Sequence, residues 1–364
     1  MSQTRDLRAL PKTHLHLHLE GSMRPNTLNE LCQKYAIERP ADTRGIRFDN
    51  FLGFNSLYWA ATQCVRTRDD LARLVFEVAE DAVADGAWWI EPAFDTERYS
   101  DLRGDDEFRL FDGQEDGWRF MLDAAASASR ELGIGIGYMS AIDRMQPLAS
   151  ASVRMETTAN LVRRREHLID CRAPGFNGQH AGIVAIGLHS NEAGHPPEPF
   201  AEIFRETTRD TELLSTPHAG EIAPSLGQGP ASVIGAVDAL GADRVLHGVL
   251  AIEDPQLVAR LAAEQVCLDV CPTSNILLSV FPSLAEHPLP MLLEAGVPCS
   301  IGSDDSLLFG PSLLDEYELC RAQMGLSDQQ FAAIAKSSFQ HSAAPGPLKQ
   351  TGLAAVDEWL AGPK

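Results

Sequence analysis

Near its start the chain reads Pro11-Lys12-Thr13-His14-Leu15-His16-Leu17-His18-Leu19-Glu20-Gly21, with histidine and leucine in strict alternation. Imidazole is the commonest side chain to bind metal ions, because its neutral ring offers a nitrogen lone pair at physiological pH. In a β-strand, residues i, i+2 and i+4 share a face, so this spacing predicts three imidazoles on one side and Leu15, Leu17 and Leu19 packed on the other. A helix would scatter the rings. Such a strand needs further ligands, and the chain offers them at the ends of apolar runs: His218-Ala219-Gly220-Glu221, His247-Gly248 and Ser303-Asp304-Asp305.

Each of these has an ordinary structural reading when taken singly, with His247 as a hydrogen-bonded residue and Asp304-Asp305 as the cap of a helix starting at Ser306. Together, His16 and His18, a third imidazole from His218 and a carboxylate from Asp304 make a His₃Asp set. Nitrogen and carboxylate donors with one open position suit a single zinc ion in a hydrolytic role. The metal brings the pKa of a bound water toward neutrality. Glu221 is then placed as proton donor, and His247 to orient or deprotonate the water.

Ligands this far apart in sequence converge only if the fold gathers strand ends. After the first strand come a helical pattern through Leu28, Leu31 and Tyr35, capped by Asn26 or Thr27, and a long amphipathic run from Leu57 to Val83. Apolar strands are then expected at Ala87 to Phe94, Gly133 to Met139, Ile183 to His189, Glu212 to Ala219, Arg244 to His247, Val266 to Cys271 and Pro298 to Ser303. Helices fall between them near Phe120 to Leu132, Ala159 to Cys171, Phe200 to Asp210, Ser232 to Leu240 and Pro255 to Gln265, with a terminal helix after Pro345. This predicts an α/β fold, a single (β/α)₈ barrel domain over residues 1–364 with extra helices between strands one and two. A doubly wound open sheet is the alternative. In a barrel, the polar clusters above lie at the C-terminal strand ends, where such folds carry their sites.

Composition narrows the partners. A net charge of −21 repels polyanions and disfavours nucleic acid, leaving a neutral small molecule as the easier partner. No apolar run reaches the length of a membrane span. Residues Met1 to Asp6 lack a secretory layout, and the odd number of scattered cysteines, seven, fits a reducing compartment; both point to the cytoplasm. Composition leaves the oligomeric state open. Two motifs are decoys: Cys267 and Cys271 lie in an apolar run, where free cysteine acts as a small hydrophobe, and the glycines at 133, 135 and 137 sit inside a strand pattern with no acidic ribose partner. His18-x-Glu20 lacks the P-C-x-x-C that would complete a cytidine-deaminase zinc signature.

The ordered set P-K-T-H-L-H-L-H-L-E-G, H-A-G-E at His218, H-G at His247, C-P-T-S-N at Cys271, S-D-D ending at Asp305 and A-K-S-S-F at Ala335 resembles the adenosine deaminase family of the amidohydrolase superfamily, across nearly the full chain. The resemblance implies zinc held by His16, His18, His218 and Asp304, with Glu221 protonating purine N1, His247 orienting the water and Asp305 contacting N7. It implies hydrolytic deamination of a 6-aminopurine, an adenosine-type nucleoside first and adenine or another adenine nucleoside as alternatives. His18, Glu20, Ser190 and Asp305 would then line the substrate. His14 falls where the family has a non-ligand. Adenosine-specific members carry aspartate where this chain has Glu20, and D-L-A-G-D-E where it reads Gly187 to Glu192, with Ser190 at the glycine whose N–H serves purine N3. Glu20 and the segment Ala193 to Pro197 resemble the adenine-deaminase branch. The scarcity of lysine between Lys12 and Lys336, where only Lys34 lies, argues against a binuclear site bridged by a carboxylated lysine, and the intact ligand set argues against a non-catalytic purine-binding relative, which stands as a remote alternative.

Overall fold

The structure is a computed structural model that describes residues 5–100, 109–223 and 225–362. Met1 to Thr4, on which part of the leader reading rests, lie outside the described residues. Eight parallel strand positions close on themselves. Lys12–His18 pairs with Ala87–Phe94, followed in space by Tyr138–Asp143, Ile183–His189 and Leu214–Ser215. His218–Ala219, Arg244–His247, Cys267–Val270 and Cys299–Ile301 complete the order. Leu214–Ser215 and His218–Ala219 are halves of one strand broken at Thr216-Pro217, since proline has no N–H for the ladder. Closure comes from a parallel bridge between Leu17 and Asp304, in which His18 N–H donates to Asp304 O at 3.0 Å and Asp304 N–H to His16 O at 3.2 Å. The barrel reading is therefore borne out, and the extra helices lie between the first two strands at Pro25–Tyr35, Phe51–Thr62 and Arg68–Ala84.

Three local expectations are corrected. The run from Leu57 to Val83 is two helices, because Thr67 and Asp70 cap each other reciprocally and start a new one. The helix expected near Ala159 to Cys171 ends at Arg163, and Leu168–Ala173 pairs antiparallel with Phe176–Ala181 around a turn where Gly175 has φ +76°. The first strand carries a bulge: His14 pairs with Ile90 but Leu17 with Pro92, three steps against two. An inserted residue reverses which face the following side chains take. His14 therefore does not share a face with His16 and His18. It lines a separate cavity with Leu17, Val78 and Ala82, and its Nε2 accepts Ser303 N–H at 3.1 Å.

The barrel interior is plugged by a buried charge cluster. Arg244 reaches across the lumen, donating from Nη2 to Glu91 at 2.6 Å and from Nε to Asp269 at 2.8 Å. Trp89 Nε1 and Ala343 N–H donate to Glu91, and Ser300 Oγ to Asp269, so the carboxylates are well satisfied. Removing one member strands the others without solvent. Arg244→Ala is expected to lower unfolding free energy by about 3–5 kcal/mol, measured by urea denaturation; a loss under about 1 kcal/mol would contradict the cluster's role.

Candidate active site

His16, His18, His218 and Asp304 come together at the C-terminal strand ends, all four largely or wholly buried, with one potential ligand atom from each lying within 4.8 Å of the others. Orientation follows from their partners. His16 Nδ1 donates to the Asp269 carbonyl at 2.7 Å, which leaves the Nε2 lone pair facing the cluster. Asp304 Oδ1 lies 3.5 Å from His16 Nε2 and 3.3 Å from His18 Nε2. His16 Nε2 and His218 Nδ1 are buried with no hydrogen-bond partner, a cost a native site seldom bears without an unshown ligand. Burial works against ionising Asp304, but the surrounding imidazoles of His16, His18 and His247 hold it well below the usual carboxylate range. Imidazole nitrogens gathered around one carboxylate fit a divalent cation. An overlapping group replaces His18 and His218 by His247 and Cys271.

Two further carboxyls flank this cluster with the opposite proton affinity. Burial, then the charges of Asp304 and Glu192, push Glu221 well above the ordinary range. Burial, with Asp304, Glu221 and Glu20 outweighing His18, does the same for Asp305. Both are pushed toward the protonated form. Asp305 packs so closely on Gly21 that a Cβ there would fall 1.6 Å from its Oδ1. Asp305 makes no side-chain cap to helix Ser306–Phe309, so the capping alternative does not describe it.

The loop carrying Glu221 is held by residues the sequence reading did not single out. Glu192 accepts three successive N–H groups, from Gly220 at 2.6 Å and from Glu221 and Ile222 at 2.8 Å each. Arg144 is buried and donates to the carbonyls of His189, His195 and His218. Their partners are backbone atoms, so nothing in residue spacing reveals them. Ser190, His247 and Asp304 each adopt a left-handed backbone, with φ of 78°, 60° and 58°, a conformation that costs a non-glycine residue energy and that the surrounding site must hold in place.

Beside the cluster lies a pocket of roughly 510 Å³ including its mouth, lined by His18, His218, Glu221, Asp304, Asp305 and Ser190 on one side. Phe51, Phe54, Tyr58, Trp59, Arg98 and His189 also line it. Glu20 is not among the described lining residues. It lies buried behind them and accepts from Tyr99 Oη at 3.1 Å and, at the limit of hydrogen-bond reach, from Arg98 at 3.4 Å and Tyr58 at 3.5 Å. Arg98 stacks over Trp59 at 4.1 Å.

If the four clustered side chains hold a metal and His14 does not, variants separate them. His16→Ala and Asp304→Ala should lose metal on dialysis, with affinity weakened beyond the roughly 10–100-fold typical of a supporting residue. His14→Ala should retain one equivalent by elemental analysis. Loss from His14→Ala with retention in His16→Ala would reverse the assignment.

The chain is similar to several known proteins. A putative adenosine/adenine deaminase of Streptomyces virginiae is 38% identical over the full length of both chains. An adenine deaminase of Albidiferax ferrireducens is 32% identical over 94% of this chain and 92% of its own. In the solved adenine deaminase of Arthrobacter aurescens, the fold superposes with a TM-score of 0.81 at 28% identity, covering 97% of this chain and 99% of that one. The family model for adenosine deaminase matches residues 11–359, and the chain belongs to the adenosine deaminase family.

Proposed function

We propose that this chain is a zinc-dependent aminohydrolase that removes the C6 amino group of a 6-aminopurine as ammonia, acting as one domain over residues 1–364. The observation that carries the reading is geometric: three imidazoles and Asp304 gathered within reach of one cation, beside two further buried carboxyls, Glu221 and Asp305, which burial and the Asp304 charge push toward the protonated form. Bound by His16, His18, His218 and Asp304, zinc supplies Lewis-acid activation of water. Glu221 gives its proton to purine N1, so the ring can take electrons as a C6–O bond forms. Asp305 donates to N7, and the Ser190 N–H serves N3. Breaking the C6–N bond then yields ammonia and a 6-oxopurine with one water consumed, one proton of that water passing by way of the Asp304 carboxylate to the leaving amino group and the other returning to Glu221. Glu192 keeps Glu221 at the height of the ring through the backbone it grips.

An adenosine-type nucleoside is the first reading of the substrate. One observation favours the free base adenine as the second: the Glu20 carboxylate is engaged by Tyr99, Tyr58 and Arg98, leaving it poorly placed to receive a ribose hydroxyl. The net charge of −21 favours an uncharged purine over nucleic acid. The seven free cysteines, all buried, accord with a cytoplasmic setting. Among the described residues no helix is long and apolar enough to cross a membrane.

Ammonia release is expected from at least one of adenosine, deoxyadenosine, adenine and larger adenine nucleosides, and the order of kcat/KM assigns the N9 substituent. Glu221→Gln should cost about 10²–10⁴-fold in kcat, the usual worth of a positioned proton donor. Undiminished turnover in that variant, or no release from the whole panel, would overturn the reading.

A further inference from the structure

His247 ends strand Arg244–His247, fully buried, with its ring centroid 4.4 Å from that of His16. Its Nε2 faces Glu221 Oε1 at 3.4 Å and Asp304 Oδ2 at 3.8 Å, and has no hydrogen-bond partner in the protein. Whether that nitrogen carries a proton or a lone pair decides its role. With a proton the ring donates to the attacking water; with a lone pair it can remove a proton from it.

The answer can be read from the other side of the ring. His247 Nδ1 lies 3.2 Å from the Asn275 amide nitrogen, and the Asn275 amide oxygen lies 3.1 Å from His287 Nε2. His287 Nδ1 in turn accepts the backbone N–H of Leu289 at 3.1 Å. A backbone N–H can only donate, so His287 Nδ1 is a lone pair and the single proton of that ring sits on Nε2. Burial depresses His287 to a pKa of about 3, so the ring is neutral. Asn275 must then accept with its oxygen and donate with its nitrogen. His247 Nδ1 is left as acceptor, and its proton is on Nε2.

We propose that His287 and Asn275 are positioning residues that lock His247 as an Nε2–H donor, so that it holds the attacking water instead of serving as its general base. The direction of every bond in the chain is set by one main-chain N–H, 42 residues along the chain from His247. The same logic gives His16 the opposite tautomer, since its Nδ1 faces a carbonyl that can only accept. A nitrogen that carries a proton cannot coordinate, so the overlapping ligand group with His247 and Cys271 is set aside in favour of His16, His18, His218 and Asp304. The catalytic meaning of the lock rests on the deaminase reading above; the lock itself does not.

The test is therefore spectroscopic first. In metal-loaded enzyme with ¹⁵N-labelled histidine, long-range ¹H–¹⁵N correlation at neutral pH should show His247 and His287 protonated at Nε2 and His16 at Nδ1, with signals assigned by single His→Gln variants. Asn275→Asp keeps the acceptor for His287 but replaces the donor to His247 by a carboxylate oxygen, which draws the His247 proton to Nδ1. That variant should retain its metal and show the switched signal. Its kcat should fall roughly 10²–10³-fold, as for loss of one preorganised donor, with KM changed less than about threefold, as expected when ground-state binding is untouched. A wild-type His247 protonated at Nδ1 would overturn the proposal, as would wild-type kcat in Asn275→Asp with the signal switched. If Asn275→Asp does not fold, the wild-type spectrum alone decides. Should no purine be turned over, the tautomers still read out, so failure of the function and failure of the lock are distinct results.

Discussion

The seam between the first strand and the end of the last is the constraint on which the site depends. His18 N–H to Asp304 O and Asp304 N–H to His16 O close the barrel, and the same two bonds set the Asp304 carboxylate against both imidazoles. Each is worth only about 1 kcal/mol net, but closure and ligand placement cannot be separated, because they use the same atoms. The approach is close enough that a Cβ on Gly302 would lie 2.4 Å from the His16 carbonyl oxygen. His14 adds a third tie through Ser303 N–H, and Ser338 of helix Asp328–His341 accepts Thr13 N–H from behind. The A-K-S-S-F run near the C-terminus thus supports the strand that opens the chain.

Within that frame the site sorts its carboxyls by charge. Three acids share a buried space, and like charges so placed cannot all ionise. The surrounding imidazoles push Asp304 toward its charged form, and its charge, added to burial, pushes Glu221 and Asp305 toward the protonated form. A purine presents bare nitrogen acceptors along its edge. On the proposed reading, Glu221 and Asp305 in their protonated forms and one backbone N–H make a donor set for such an edge, which a charged carboxylate would repel. In the proposed reaction, ring recognition and proton supply then share one cause, the negative charge of Asp304.

How much of this was legible in the sequence follows the kind of atom involved. The histidines and aspartates at strand ends were readable because their chemistry lies in the side chain and the barrel places all strand ends together. The facing of His14 was not, since period-two alternation assumes an unbroken ladder and a single bulge between His14 and Leu17 inverts it. Glu192 and Arg144 act on N–H and C=O groups, which every residue carries, so no spacing marks them. The Leu168–Ala173 strand was concealed differently. Its buried Ile169, Cys171 and Ala173 alternate cleanly, but the helical pattern before it runs on into it, and only Pro174-Gly175 marks the turn.

Adjacent rings of the same residue type show why the outer layer matters as much as the ligands. His16 and His247 stand 4.4 Å apart in the same buried space, and nothing intrinsic to imidazole tells them apart. One backs onto the Asp269 carbonyl and presents a lone pair; the other backs onto the Asn275 amide nitrogen and presents a proton. Asp269 is itself fixed by Arg244 and Ser300, and Asn275 by His287, so each tautomer is inherited from groups well outside the pocket. Two lone pairs would leave the incoming water without a donor, and two protons would remove a ligand. Opposite tautomers in neighbouring histidines are the arrangement in which a cation and a water can be held side by side.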